Sequence, residues 1–299
     1  MQGIVVLLGA SILVFVLVRA TGNPALLMLP PNANQQDVAR VTAQLGLDQP
    51  LPTQYGIFLG HAIHGDFGDS IQLHEPVLQL IGERLPNSLK LGGLTLLFAV
   101  LIGVPLGTAA ALRRGGGVDA AARGVAMLGQ SVPGFWLAIM LIAVFAGHFN
   151  ILPAARAETW QSYVLPVATL VATGFLLSGT IRFMRSGMLD VLSADYIRLA
   201  RAKGLRERAV IGRHALKNAS IPLVTFLAFY MVALIGGASL IVETVFAWPG
   251  IGTLLANAVL ARDFPIVQAV TLIYVTGFVV MSILVDVTYL VLDPTIRYS

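Results

Sequence analysis

Five stretches of this chain, 91–112, 124–147, 163–181, 218–242 and 266–285, each run about the thickness of a bilayer without one charged side chain. A helix of about 20 apolar residues crosses the ~30 Å hydrocarbon core. A sixth stretch, 4–18, is shorter and begins almost at Met1. No basic run precedes it and no small-x-small cleavage site follows it, which argues against a secretory signal. It reads as a first span whose natural start could lie upstream. The expected fold is an all-α polytopic membrane protein with six transmembrane helices.

Composition points the same way. Apolar residues make up 57% of the chain and charged ones 11%, against roughly 45–50% and about 25% in soluble domains. So little charge cannot cover a water-facing surface, which excludes a soluble enzyme, a disordered tail and a fibrous repeat. The absence of cysteine removes disulfides, thiolate zinc sites and cysteine nucleophiles together.

Six spans leave both termini on one side, and the Lys/Arg distribution selects it. With the termini inside, thirteen of the nineteen basic residues are cytoplasmic, nine of them in the segment 182–217. The net charge is then +7 inside and −3 outside, which accounts for the +4 of the whole chain. The basic balance is a topology signal; it calls for membrane lipid and not for nucleic acid. Arg19, at the outer end of the first span, is the one local exception.

Two connections are long. The outer one, 21–87, is polar and holds a helix candidate at 35–45, introduced by Pro30-Pro31-Asn32. It has too little apolar content for a core of its own and reads as an elaboration on the outer face. The chain thus divides into 1–87, a first helix plus an extracytoplasmic segment, and 88–299, five helices with a cytoplasmic loop at 182–217.

Within that loop, residues 195–204 read as a short helix that stops at glycine. Asp195 suits a helix start, where a carboxylate meets orphan N–H groups, and Gly204 suits the left-handed stop. Arg198 and Arg201 share a face. A second basic amphipathic stretch, 207–217, runs into the fifth span. One reading is a positive anchor on anionic headgroups; the other is a docking surface for a soluble partner.

Residues 195–222, Asp-Tyr-Ile-Arg-Leu-Ala-Arg-Ala-Lys-Gly through Ser-Ile-Pro, resemble the coupling loop of ABC-importer permeases, in the form seen in the dipeptide/oligopeptide/nickel group. Aligned on Gly204, Ala200, Gly204 and Leu216 keep the letters of the general Glu-Ala-Ala-x3-Gly-x9-Ile-x-Leu-Pro pattern. Further blocks resemble the same group in the same order: 45–51, 65–68, 84–89, 243–252 (Glu-Thr-Val-Phe-Ala-Trp-Pro-Gly-Ile-Gly), 262–265 and 292–297. The N-terminus departs, since relatives usually begin with a basic stretch. The resemblance implies a type I ABC importer fold with a cytoplasmic coupling helix between helices 4 and 5, in a bacterial or archaeal inner membrane. It implies an ATPase-coupling role for Asp195, Tyr196, Arg198, Leu199, Ala200, Arg201, Lys203 and Gly204. Leu199 and Tyr196 are the expected apolar anchors, Ala200 and Ala202 the residues permitting close approach, and the basic side chains a charged rim. The implied partners are a homologous second permease forming a heterodimer, two ATPase subunits, an extracytoplasmic solute-binding protein and a peptide or related small solute.

No energy source lies in this chain. The nearest approach to a P-loop, 174–180, has Thr180 where the lysine should be, so ATP and magnesium are expected on the partner ATPases. His74-Glu75 lacks the second histidine of a zincin helix, and Ser131 in Gly-Gln-Ser-Val-Pro lacks the second glycine of a nucleophile elbow. The expected catalytic and metal sets are therefore empty. His61, His64 and Asp66 read as a solvated loop rather than a metal site, and Asp286 as a structural partner for loop arginines. Gly103-Val-Pro105-Leu-Gly107 matches G-x3-G, either a packing seam or a bend. Ser131-Val132-Pro133-Gly134 predicts an interrupted third helix, tolerated where it faces protein or water.

The leading function is a non-catalytic permease subunit forming half of the translocation path for di- or oligopeptides or a related solute, chelated nickel included. Ser131, Phe135, Phe229 and Tyr230 are path candidates, because they place polar or aromatic surface in otherwise aliphatic helices. The rival is an ion-coupled secondary carrier, which needs ionisable groups near the bilayer midplane; the first five apolar stretches hold none.

Overall fold

The computed structural model describes residues 2–21, 29, 34–44, 46–154 and 159–292. Pro30-Pro31-Asn32, Leu45, Arg156 and the C-terminal block from Asp293 lie outside the described residues. The described chain is mostly helical, with one isolated bridge between Asp69 and Pro76 and no strand among the described residues.

Helix α1 (Gln2–Thr21) is longer than its charge-free stretch and packs along the last helix, where a Cβ at Gly3 would stand 2.7 Å from Val279 Cγ1. The outer segment carries α2 (Gln35–Gln44), as expected, and a second helix that was not: α3 (Leu51–Ile63). Its Tyr55 hydrogen-bonds Ser11 at 2.8 Å, and Tyr55 and Phe58 both pack on Phe15 of α1. Arg19 lies over the Phe15 ring at 5.1 Å, so a cation–π contact accompanies the one exception to the charge rule.

The second span is a 36-residue helix, α4 (Val77–Leu112), which starts well before the 91–112 stretch. At 1.5 Å per residue it is about 54 Å long, more than the membrane needs. Its first turns, with Glu83, Arg84 and Lys90, therefore belong to the outer segment. Pro86 and Pro105 both sit inside it. The G-x3-G pair is a packing seam: a Cβ at Gly103 would stand 2.6 Å from Thr180 Cγ2, and one at Gly107 would stand 2.7 Å from the Ile181 carbonyl oxygen. Close backbone approach of this kind replaces the hydrophobic drive that lipid removes.

The third span is broken where Ser131-Val132-Pro133 predicted it. Helix α5 (Gly117–Ser131) meets α6 (Gly134–Leu141), extended by a wide π turn Ile142–His148, at 95°. The fourth span is broken too, which the sequence did not announce. Helix α7 (Val164–Ala172) and α8 (Leu176–Leu192) bend by 52° at Gly174, whose φ is 72°. Helix α8 runs on to Leu192, so the loop before α9 begins eleven residues later than the expected 182.

Helix α9 (Asp195–Ala202) follows, then the helical run Glu207–Ala209, Val210–Ala215 and Leu216–Ala219, leading into α10 (Ile221–Ala233). A π turn over Leu234–Ala238, kinked at Gly237 (φ 129°), separates α10 from α11 (Leu240–Val245). The short apolar α12 (Ile251–Leu260) and the 29-residue α13 (Phe264–Leu292) complete the fold. Among the described residues, four helices are long and apolar enough to span by themselves, and counting each bent pair as one span brings the number to six. The six-helix expectation therefore holds, with two of the six discontinuous.

Candidate functional site

Helix α9 starts and stops as its sequence demands, with one difference. Asp195 is the first helical residue and Ala194 the cap position, and no side chain caps the helix. Asp195 instead takes a hydrogen bond from Arg198 Nη1 at 3.3 Å. Gly204 has φ 75° and its N–H donates to the Arg201 carbonyl at 2.9 Å, the left-handed stop expected of glycine.

The helix has one covered face and one open face. Ile197 is fully buried and Ala200 is buried, both in a cluster with Ala111, Met184, Met188, Val210, Ala215, Ala219 and Leu223. This corrects the expected role of Ala200: its methyl group faces the chain's own core and offers no close approach to a partner. Tyr196 and Leu199 are 44% and 57% exposed, and Arg198, Ala202 and Lys203 are exposed beside them. Asn218 Nδ2 donates to the Tyr196 hydroxyl oxygen at 3.0 Å.

Arg201 binds Glu207 with two hydrogen bonds, Nη2 to Oε1 at 2.7 Å and Nε to Oε2 at 3.2 Å. The pair closes the Gly204 turn from outside. Those bonds hold the Glu207 carboxyl below the usual carboxylate range and raise the Arg201 guanidinium. Helix α9 is thus clamped by a core beneath it, a glycine stop and a two-pronged ion pair. What it presents outward is a small apolar and basic face.

The four path candidates separate into two pairs. Phe229 and Tyr230 line a cleft of about 610 Å³ with Phe183, Phe226, Tyr274 and Phe278. Ser131 and Phe135 lie elsewhere, at the break of the third span, both exposed; Ser131 Oγ only returns a hydrogen bond to the Met127 carbonyl. The two breaks nevertheless touch. Gly174 N–H donates to the Gly129 carbonyl at 2.8 Å, and Gln130 Nε2 donates to Ser178 Oγ at 3.0 Å. A Cβ on Gly174 would stand 3.6 Å from the Tyr230 hydroxyl oxygen. Non-helical backbone at this depth is satisfied by protein, as the membrane requires.

Three buried carboxyl groups were given no role by the sequence. Asp119 is 1% exposed and bound by Arg185; Glu243 and Asp263 are equally buried. Each sits at a helix end, just outside the charge-free stretches; Glu243 and Asp263 fall in the blocks 243–252 and 262–265, but nothing in those letters shows that they are buried. Asp286 is exposed and forms no ion pair among the described residues, so the expected pairing with loop arginines is not made. His61 pairs with Asp66 at 2.8 Å in the open, and no cluster of three potential metal ligands occurs among the described residues.

Known proteins resemble this chain in sequence over nearly its whole length and in fold over much of it. Residues 103–298 match the family described as binding-protein-dependent transport system inner membrane component, and residues 1–92 match its N-terminal counterpart. The glutathione transport system permease protein GsiC of Salmonella choleraesuis (strain SC-B67) is 42% identical over 294 residues, covering 98% of this chain and 95% of that one. The protein of the same name from Escherichia coli (strain K12) is 41% identical over 290 residues, covering 97% and 94%. The fold is shared with a chain of the methionine ABC transporter MetNI, solved in an inward-facing form (TM-score 0.54, 18% identity, 72% of this chain and 97% of that one). On these matches, the chain belongs to the family of inner-membrane components of binding-protein-dependent transport systems.

Proposed function

We propose that this chain is one of two permease halves of an ATP-driven importer, carrying a small peptide inward, and that helix α9 transmits the stroke of the ATPase subunits. The observation that carries this reading is the orientation of α9. Ile197 and Ala200 lock it to the cytoplasmic ends of α4 and α8 and to the base of the fifth span, while Tyr196 and Leu199 stand open. An apolar face held rigid outside the membrane suits a groove on a soluble partner. The basic rim of Arg198, Arg201 and Lys203 suits its polar edge.

The chain supplies membrane helices and no nucleotide site, so ATP and magnesium reside on two partner ATPase subunits. A related second permease completes the path, and an extracytoplasmic binding protein delivers the solute. The relatives' names favour glutathione or a similar short peptide as that solute. Both termini are cytoplasmic, on the charge distribution. In the cycle, closure of the ATPase pair pushes α9, and the two halves rock about the broken spans. Ser131, Phe135, Phe229 and Tyr230 are proposed to meet the solute in turn, the first pair at the break of the third span and the second in the aromatic cleft.

Purification in mild detergent tests the assembly: two ATPases and a related permease should co-elute. Reconstituted with its binding protein, the complex should take up labelled glutathione or dipeptide only with ATP inside the binding-protein-free compartment. Uptake driven by a proton or sodium gradient without ATP would replace this reading with the secondary carrier.

A further inference from the structure

The outer end of the molecule is fastened by two buried carboxyl groups with no basic side chain paired to either among the described residues. Both fasten the same element, α12. Glu243 holds its start: the carboxyl accepts from Ser88 Oγ at 3.0 Å, from Ser239 Oγ at 2.8 Å and from the Thr253 N–H at 3.1 Å. Ser88 Oγ in turn accepts the Ile251 N–H at 2.8 Å. Asp263 holds its end: the carboxyl accepts from Ser70 Oγ and from the N–H groups of Ile71 and Gln72.

Between these two ties, Ile251, Leu254 and Ala258 sit in a cluster with Val77, Leu80 and Ile81 of α4 and Ile266, Ala269 and Val270 of α13. The fit around Glu243 is tight. A Cβ at Gly252 would stand 2.8 Å from its Oε2, and one at Gly250 would collide with the same atom. By contrast, Gly237, one and a half turns earlier in the fifth span, has a left-handed φ of 129° and open space where a Cβ would go.

A carboxyl group buried without a counter-charge is costly, and an apolar residue would pack here at lower cost. Its use implies a demand for a directed, multi-pronged tie. We infer that Glu243 is a positioning residue of the outer gate: it makes α12, α11 and the outer third of α4 one rigid piece, which swings on Gly237 when the permease changes its facing. This rests on the permease reading above. A gate built so is closed by geometry, not by charge repulsion, and loosening Glu243 should leave it ajar. ATP hydrolysis would then run without waiting for the binding protein.

The test uses the assembled transporter with both ATPases, the second permease and the binding protein, in liposomes. Three changes attack one contact from different sides: Glu243→Gln, Ser88→Ala and Gly252→Ala. The chain has no native cysteine, so Leu254→Cys reports access beneath α12 to a membrane-impermeant thiol reagent. In each variant we expect a several-fold rise in ATPase activity without binding protein. We also expect fewer solutes imported per ATP, and faster labelling at position 254. A purely structural role would lower the amount of assembled complex and leave these ratios per complex unchanged. That outcome, or normal coupling at normal levels, overturns the inference. Ser88→Ala removes one hydroxyl, with its bonds to Glu243 and from the Ile251 N–H, and keeps the test decisive if the other two fail to accumulate. Wild-type complex that shows no binding-protein stimulation at all would instead count against the permease reading.

Discussion

Arg185 grips Asp119 with two parallel hydrogen bonds, Nε to Oδ1 at 2.6 Å and Nη2 to Oδ2 at 3.0 Å, across 66 residues of sequence. The pair joins the first turn of α5 to the middle of α8, and the Gly115 N–H adds a third bond to the same carboxyl at 3.0 Å. It holds the broken third span against α8, the helix that packs under α9. Fork-to-fork geometry of this kind is specific to arginine. Arg185→Lys should therefore lower the thermal midpoint of the detergent-purified complex by several degrees, and Arg185→Ala by more. An exchange, Asp119→Arg with Arg185→Asp, should recover part of the loss. Equal stability of the Lys variant and wild type would show that the two-pronged contact does not matter.

The seam between α4 and α8 predicts an asymmetry among glycines of one helix. Gly107→Leu forces a side chain into the Ile181 carbonyl and Met184, and overpacking of this kind costs about 1–3 kcal/mol. Gly93 in the same helix has nothing within 4 Å of its Cβ position, so Gly93→Leu should be close to neutral. Membrane levels and melting of the two variants check this. Similar losses from both would contradict the seam.

At the Gly204 turn, φ of 75° excludes a β-branched residue without strain, on the order of 1 kcal/mol or more. Gly204→Val should misdirect α9, reducing uptake strongly while the spans stay inserted. Ala200→Trp should act differently: the indole must enter the cluster of Met184, Met188 and Val210, so loop order and complex yield should fall together. Limited trypsin digestion at Lys203 separates the two, with rapid cleavage expected for Ala200→Trp. Slow, wild-type cleavage in that variant would return Ala200 to the open face.

The Arg201–Glu207 link sets a pH expectation. Its folded carboxyl lies below the usual carboxylate range because Arg201 donates to it. A lowered folded value contributes order above the unfolded value, and that contribution is lost only as pH falls through the folded one. A spin label at Leu205→Cys should therefore keep constant mobility across neutral pH and loosen only in acid, whereas Glu207→Gln should loosen it throughout. A change in mobility between neutral values would mean another group controls the turn.

The sequence announces what is local. Asp195 to Gly204 reads as a helix with a stop because one turn of backbone and one glycine decide it, and Pro133 reads as a break because proline removes a donor. Charge-free length announces the spans. What escaped is what distant parts supply. Gly174 breaks the fourth span with no proline near it, because the Gly129 carbonyl is there to take its N–H. Pro105 lies inside a continuous α4 because α8 packs along it at Gly103 and Gly107. An eight-residue helix shows two faces in sequence, but only the fold decides which the chain covers, and Ala200 fell on the covered one. Glu243 meets Ser88 across 155 residues and Asp263 meets Ser70 across 193, separations at which no single-sequence pattern survives.

The central claim is that the open face of α9 carries force from an ATPase to the membrane helices. Leu199→Glu tests it most directly. The side chain is 57% exposed and is not a member of the buried cluster, so folding stability should change by no more than about 0.5 kcal/mol. In reconstituted complex, measured as ATP-driven peptide uptake with binding protein present, the variant should lose uptake and stimulated ATP hydrolysis at an unchanged membrane level. Wild-type uptake by Leu199→Glu would contradict the account.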